Sequence, residues 1–370
     1  MRIGIDARMM GKGFGLARYI EQLILHLQIQ DTENEYIIFL KRDNFDTFEP
    51  TNSNFKKVLA DISWYSFEEQ LKFPWIIRKA KVDVMHFPHF NVPVVYSGPY
   101  IVTIHDLIMF HYPRQEASTH GPFVYWVKDF VHRLVVRSAS RRAKHILVTS
   151  EFTKCDVHET LGVAMEKMTV TYQAPFANAA PSNVGTSFIL SKYKITKPYL
   201  LYVGAAYPHK NLDGLLEAWE IFQKKYGKEY QLVLVGKENF FYTKLKNTLI
   251  KESNDVIYTG FVPDDELSVL YQKTLLYVFP SFYEGFGLPP LEAMTRGVPV
   301  VSSNASCMPE VLQDAALYFD PKNLEEMADT LYKCIIEDPT RLKLQENARK
   351  LLLKYSWKVL AEKTLHLYNQ

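Results

Sequence analysis

The chain has three cysteines in 370 residues, Cys155, Cys307 and Cys334, far apart and without a CxxC pair. That scarcity excludes a disulfide framework and a cysteine-based zinc site, and it suits a reducing compartment. No run of 18 apolar residues occurs, so no segment is expected to span a membrane. The opening stretch "MRIGIDARMM" sets Asp6 and Arg8 where a signal peptide needs an apolar core, which predicts a cytoplasmic protein. Neither sign of charge dominates: 43 basic against 41 acidic residues leave a formal net charge of +2. No whole-protein field would draw nucleic acid, so any anion binding must be local. No strand-like run is followed by GxGxxG and a distal acid, which argues against a nicotinamide dehydrogenase. "GKGFG" at 11–15 lacks the spacing and the GK[ST] ending of a P-loop.

What is present is apolar mass, 47% hydrophobic and 14% aromatic, in a chain longer than one core usually serves. Two domains are expected. "RIGID", "EYIIFL", "VDVMHF", "YIVTIHD", "HILVTS" and "MTVTY" read as buried strands in the first half. "YLLYVG", "YQLVLVG", "VIYTG", "LLYVFPS" and "VPVVSS" do so in the second, with helical patterns between them. This alternation predicts an α/β fold with two doubly wound parallel sheets. The uncharged, proline-marked stretch 173–187 is the expected linker, giving domains over 1–178 and 188–355. Ligands would then lie at the carboxyl ends of the strands, and the interdomain cleft is the expected active site.

Two stretches carry the chemistry. "YVGAAYPHKN" places Lys210 beyond a strand end and before a helix, where an anion meets both an ammonium and the helix dipole; a solvated lysine beside a cap is the plain alternative. "PSFYEGFGLPPLEAM" sets Glu284 and Glu292 around a turn of glycine and proline. Two acids suggest a glycosidase pair, which wants carboxyls roughly 5 to 9.5 Å apart, but a nest of backbone N–H groups between them fits an oxyanion better. Glu292 is expected in the first helical turn, where it would also complement the dipole. A carboxylate for neutral hydroxyls beside N–H groups for oxyanions describes a site for a sugar joined to phosphate.

"EGFGLPPLE" at 284–292 resembles the Glu-x7-Glu motif of the family 4 retaining glycosyltransferases, and the resemblance runs over nearly the whole chain. "GIDARMMGKGFGLARY", "DVMHFPHFNVP", "TIHDL", "LVTSEFTK", "YVGAAYPHKN" and "TGFVPDDEL" all resemble that family's segments in order. It implies the GT-B fold, two Rossmann-like domains facing across a cleft, the first an acceptor domain joined by a terminal helix at about 356–370 and the second a nucleotide-sugar domain.

Residue by residue, it implies Glu284 on hydroxyls of the transferred hexose and Lys210 on the leaving diphosphate. His105 would sit near sugar and acceptor, and Glu292 would bind the ribose. The N–H groups of Phe286, Gly287 and Leu288 would lie along sugar and diphosphate, with Gly204 and His209 in the donor loop. Gly15, Gly13 or both would approach the diphosphate, and Phe261 and Val262 would meet the base. The implied activity is retaining transfer of a hexose from a nucleotide diphosphate sugar to a glycan or lipid-linked saccharide, with no cofactor and no essential metal. "GIDAR" and "HFPHF" look most like members using GDP-mannose, with UDP-sugars the other donors considered. The alternative is a non-catalytic subunit of the same fold that binds a nucleotide sugar or glycan and supports a partner enzyme.

The chain departs from the family's pattern where arginines are usual. His209 stands before the lysine, Ala205 and Ala206 follow the strand-end glycine, and "GLARY" puts Ala17 in place of a glycine. Lys237 or Arg18 are the candidate replacements. Asp264 and Asp265 in "PDDEL" read as helix-start acids, with Asp264 at the N-cap, rather than as metal ligands. The segment 125–144 carries Lys128, Arg133, Arg137, Arg141, Arg142 and Lys144 with Trp126 and Phe130 interleaved. It is therefore a candidate for an anionic membrane surface, against the plain alternative of a core-facing helix with a basic solvated face.

Overall fold

The computed structural model describes residues 1–11, 15–114, 121–176, 185–250 and 255–370. Gly13 and most of the expected linker, 177–184, lie outside the described residues. The chain forms two compact units: Met1–Phe110, Ser118–Gln173 and Ser356–Gln370 make the first, and His111–Ala117 with Ala174–Tyr355 make the second.

The first unit holds β1 (Arg2–Asp6), β2 (Glu35–Leu40), β3 (Phe55–Leu59), β4 (Val84–Phe87), β5 (Tyr100–Ile104), β6 (His145–Val148) and β7 (Met168–Val170). Their order is β3-β2-β1-β4-β5-β6-β7, with every described pairing parallel. The second unit holds β8 (Tyr199–Val203), β9 (Gln231–Val235), β10 (Val256–Gly260), β11 (Leu276–Phe279), β12 (Val300–Ser303) and β13 (Ala316–Phe319). Their order is β10-β9-β8-β11-β12-β13, again parallel. Helices run between successive strands, except between β4 and β5, which the segment 88–99 joins without a helix. Both sheets are thus Rossmann-like, and each reverses direction once, between β1 and β4 and between β8 and β11. A crevice opens at the carboxyl ends of strands where the order reverses.

The sheet centres follow from continuous apolar runs. Ile3, Ile5, Met85, Ile101 and Val102 are fully buried in the first unit, and Leu200, Leu201, Leu232, Val233, Tyr277 and Val278 in the second. β3 and β13 were not apparent as strands in the sequence. Both are sheet edges, and "FKKVL" carries two lysines with half-exposed neighbours, so neither reads as a doubly buried run.

The terminal helix Trp357–Tyr368 is capped by Ser356, whose side chain accepts from the Val359 N–H. Within the first unit its Tyr368 hydroxyl lies 2.5 Å from His86 Nδ1, and Lys363 donates to the Val170 carbonyl at 3.2 Å. Burial, then the charge of His105, pushes the His86 imidazole down to about 3. Arg8 of "GIDAR" is fully buried, bonded to Asp6 at 2.8 Å and Glu69 at 2.7 Å, so it organises the end of β1. Among the described residues no helix is long and apolar enough to cross a membrane, and no cluster of three His, Cys, Asp or Glu side chains is placed to hold a metal.

Candidate functional site

In the second unit, the two stretches singled out by sequence emerge at the reversal point, one after β8 and the other after β11. After β8 the chain passes Gly204 and makes a tight 3-10 turn over Pro208–Lys210. Asn211 follows in the left-handed region (φ 56°), and its side-chain amide donates to the carbonyls of Pro280 and Pro321 at 3.2 and 3.0 Å. The Phe282 N–H donates to the His209 carbonyl at 2.8 Å. The two loops are therefore fastened to each other, and each fixes where the other's functional side chain points.

The consequence is an ion pair. Lys210 Nζ lies 2.6 Å from Glu284 Oε1, with the glutamate side chain 8% exposed and the lysine 16%. The Glu284 backbone is held on both sides: its N–H donates to Ser306 Oγ at 3.1 Å, and its carbonyl accepts from Cys307 Sγ at 3.2 Å. His209 is buried, and its Nδ1 has no hydrogen-bond partner among the described residues. Burial, followed by the charges of Lys210 and Arg114, pushes its imidazole down to about 2, so it is neutral at ordinary pH. It cannot stand in for an arginine's charge.

Gly287 sits at φ 83° ahead of the helix Leu288–Thr295, and a β-carbon there would collide with the Met308 side chain. Only glycine fits this turn. Pro289 and Pro290 occupy the next helical positions, so the N–H groups of Phe286, Gly287 and Leu288 are the ones at the helix entrance. The Phe286 side chain is buried edge-on against Tyr355, which leaves only its backbone for a ligand. At the neighbouring strand end, Gly236 backs so closely onto the Gly204 carbonyl that no side chain could stand there. Hydroxyls of Tyr242 and Tyr258 cap the Gly204 and Gly236 carbonyls at 2.8 and 3.1 Å.

Residues 188–351 match the family model described as glycosyl transferases group 1, and residues 15–174 match that of glycosyltransferase family 4. The chain belongs to the group 1 and family 4 glycosyltransferases of the GT-B fold. This glycosyltransferase is 27% identical to the O-antigen chain mannosyltransferase B of Escherichia coli, over 96% of this chain and 95% of that protein. It is also 27% identical to the O-antigen chain mannosyltransferase RfbU of Salmonella typhimurium, over 76% of each. Among solved structures, sucrose-phosphate synthase from Thermosynechococcus elongatus superposes with a TM-score of 0.75 at 17% identity, over 100% of this chain and 98% of that one.

The remaining candidates of the glycosyltransferase are placed less tightly. Glu292 lies one turn inside the helix Leu288–Thr295, not in its first turn as expected, because the helix begins at Leu288. Its electrostatic benefit from the dipole is correspondingly small. Asp264 is the first residue of the helix Asp264–Lys273 rather than its cap, which is Pro263. The Phe261 side chain is 70% exposed, whereas Val262 is buried and offers a ligand only its backbone. Lys237 is exposed beyond Gly236.

His105 and Gly15 belong to the first unit. His105 Nε2 lies 2.9 Å from the Pro88 carbonyl, which can only accept, so Nε2 carries the proton. Its Nδ1 is 3.3 Å from Gln173 Nε2, and Tyr19 packs edge-on at 4.7 Å. Burial, partly offset by the Pro88 bond, pushes the imidazole down to about 4. His105 is therefore a neutral, oriented imidazole rather than a cation. Gly15 opens the helix Gly15–Gln30 with open space around it, and Arg18 follows on that helix.

The structure adds a segment that sequence reasoning passed over. His111 to Arg114 leaves the first unit's run of chain and packs along the two loops of the second. The ring of His111 meets Tyr283 at 5.1 Å, Tyr112 lies parallel to Phe282 at 6.4 Å, and the Arg114 guanidinium covers the Tyr207 ring at 3.5 Å. The signal available was the aromatic run "FHYPR" following "TIHDL".

Proposed function

We propose that this glycosyltransferase transfers mannose from GDP-mannose, with retention of configuration, to a glycan or lipid-linked saccharide. The observation that carries the reading is the Lys210–Glu284 pair beside the Gly287 turn. It sets an ammonium against a carboxylate three residues before the glycine that opens the helix Leu288–Thr295. Glu284 accepts hydrogen bonds from hexose hydroxyls, while Lys210 and the N–H groups of Phe286, Gly287 and Leu288 meet the diphosphate. Glu292 takes the ribose hydroxyls and Phe261 the base. The mannosyltransferase relatives favour mannose and, through it, a guanine donor.

In the reaction the bond from the anomeric carbon to the diphosphate breaks, and a bond to the acceptor oxygen forms on the same face. The acceptor's proton goes to the departing diphosphate oxygen. Charge that builds on that oxygen is met by cations and dipoles already in place, which lowers the barrier more than it tightens ground-state binding. The neutral His105 contributes orientation near sugar and acceptor rather than charge. No cofactor or metal enters this scheme.

The lipid-linked class of acceptor is favoured by the first unit's surface. Phe67, Leu71 and Trp75 form an exposed stripe on the helix Phe67–Ala80, and Phe123, Trp126 and Phe130 another on the helix Pro122–Arg142. A groove of about 760 Å³ is lined from both segments, including Tyr65, Phe67, Phe90, Val94 and Val131. Arg133 is paired with Asp129 at 2.7 Å, Arg142 donates to the Tyr96 carbonyl at 2.7 Å and Arg137 lies over the Phe110 ring at 5.8 Å, so Lys128, Arg141 and Lys144 are the cations of this segment that we assign to anionic headgroups at the cytoplasmic face. A thermal-shift panel of GDP-, UDP-, ADP- and dTDP-sugars tests the donor. GDP-mannose is expected to stabilise most, and a flat response to all four classes removes the reading.

A further inference from the structure

The ion pair with Lys210 fixes only the tip of Glu284. The direction in which the side chain leaves the main chain is set by another stretch, "SSNASCM" at 302–308, which runs from β12 into the helix Met308–Leu312. This stretch lies along the loop after β11 and meets it at Ser281, Glu284 and Gly287 in turn. Ser303 Oγ donates to the Ser281 carbonyl at 2.6 Å. Ser306 Oγ accepts the Glu284 N–H at 3.1 Å, and Cys307 Sγ donates to the Glu284 carbonyl at 3.2 Å. The Met308 side chain fills the place a β-carbon on Gly287 would need. On its other side the stretch is tied to the sheet, the Asn304 N–H donating to the Phe319 carbonyl of β13 at 2.9 Å.

Ser306 makes its contact from a strained backbone. Its φ is 54°, in the left-handed region that residues with a side chain rarely adopt. Lys81, Lys194 and Gln313 share that region, but they follow the last turns of helices, where a left-handed residue is ordinary. Ser306 instead precedes a helix, so no helix end accounts for it. Strain of this kind persists where the surroundings hold it, and it points to a local function. Glycine would adopt the same conformation without steric cost; what serine adds is the hydroxyl, and that hydroxyl is on Glu284. Cys307 is fully buried, and burial followed by the charge of Glu284 pushes its thiol well above its usual range, so it stays a donor. With N–H and carbonyl both engaged, neither peptide plane flanking Glu284 is free to turn.

We propose that Ser306 is a positioning residue for the transfer reaction: its left-handed backbone presents the hydroxyl that holds the Glu284 main chain, and so aims the carboxylate at the hexose. This rests on the reading of Glu284 given above.

Ser306→Ala removes the acceptor and keeps the strain, whereas Ser306→Gly removes both. The test measures, on the full-length chain, turnover of GDP-mannose and UDP-glucose, affinity for GDP and UDP, and the midpoint of urea unfolding. Both variants are expected to turn over the preferred donor about tenfold more slowly, as a lost hydrogen bond and a slightly misplaced group imply. Nucleotide affinity should not change, because the nucleotide lacks the hexose. Ser306→Gly should unfold at higher urea than Ser306→Ala, so activity and stability part company. In a Glu284→Ala background neither change should slow turnover further, since Ser306 acts only through that side chain. Turnover that follows the unfolding midpoint, weakened nucleotide affinity, unchanged turnover in both variants, or an equal slowing in Glu284→Ala overturns the role of Ser306. Should one variant fail to fold, the other still carries the Glu284→Ala comparison. Failure of the wild type to turn over either donor, or a Glu284→Ala variant as fast as wild type, overturns the reading of Glu284 and the role of Ser306 with it.

Discussion

Lys210 and Glu284, separated by 74 residues, meet at 2.6 Å because the Phe282 N–H is bonded to the His209 carbonyl and Asn211 is bonded to the Pro280 carbonyl. The carboxylate proposed for the sugar and the ammonium proposed for the diphosphate are thus held as a pair. A donor bound as proposed would share each of them, which makes the pair's integrity measurable apart from turnover.

Removing one partner should cost more stability than removing both. Lys210→Met leaves a buried carboxylate without its cation, an expected loss of about 3 kcal/mol in urea unfolding. The double variant Lys210→Met/Glu284→Gln should recover most of that loss while remaining inactive. Additive costs in the double variant would mean the pair is not coupled.

Two glycines of the motif set should respond oppositely to alanine. Gly287→Ala forces a side chain into a left-handed turn against Met308 and should destabilise by about 2–4 kcal/mol, with donor binding lost alongside. Gly15→Ala adds a methyl group in open space and should stay within about 0.5 kcal/mol. Comparable unfolding midpoints for the two variants would contradict the turn geometry.

Acid should unfold the protein through its buried imidazoles. His86 and His209 are pushed down to about 3 and about 2 when folded, against an ordinary value of about 6.5. The unfolded chain therefore takes up protons first as pH falls. The stability these groups contribute is whole above about pH 6.5 and declines toward pH 3 by about 1.4 kcal/mol per pH unit for each. Unfolding free energy measured at pH 7 and pH 5 should differ accordingly, and His209→Asn should flatten the slope. A slope unchanged in His209→Asn would refute its contribution.

Membrane contact should depend on the exposed aromatics. Trp126→Ser and Phe67→Ser should each weaken binding to phosphatidylglycerol vesicles about tenfold, from the lost apolar burial, with nucleotide affinity unchanged. Failure of the wild type to bind such vesicles at low salt would remove the membrane proposal.

The central strands and both loops of the second unit were legible because each is a doubly buried run ending in glycine or proline. "YLLYVG" and "LLYVFPS" show this, and their adjacency as β8 and β11 follows from the doubly wound order. The edges β3 and β13 were hidden by half-exposed faces, where lysine and tyrosine interrupt the apolar pattern. The start of the helix at Leu288, and with it the place of Glu292, turned on Gly287 adopting a left-handed conformation that a GFGLPP string does not specify. Arg114 was invisible for a different reason. Its position depends on ring packing between residues far apart in the chain, Arg114 with Tyr207 and Tyr112 with Phe282, and no local period encodes that.

The most direct test is proton NMR of the anomeric signal formed when GDP-α-mannose is turned over, by slow hydrolysis or onto an added acceptor, by wild type and Glu284→Ala. The α-anomer should appear first with the wild type, and Glu284→Ala should be slower by about ten- to a hundredfold, the value of a charged hydrogen bond. First appearance of the β-anomer, or wild-type turnover in Glu284→Ala, would contradict the account of Glu284 as the sugar clamp of a retaining mannosyltransferase.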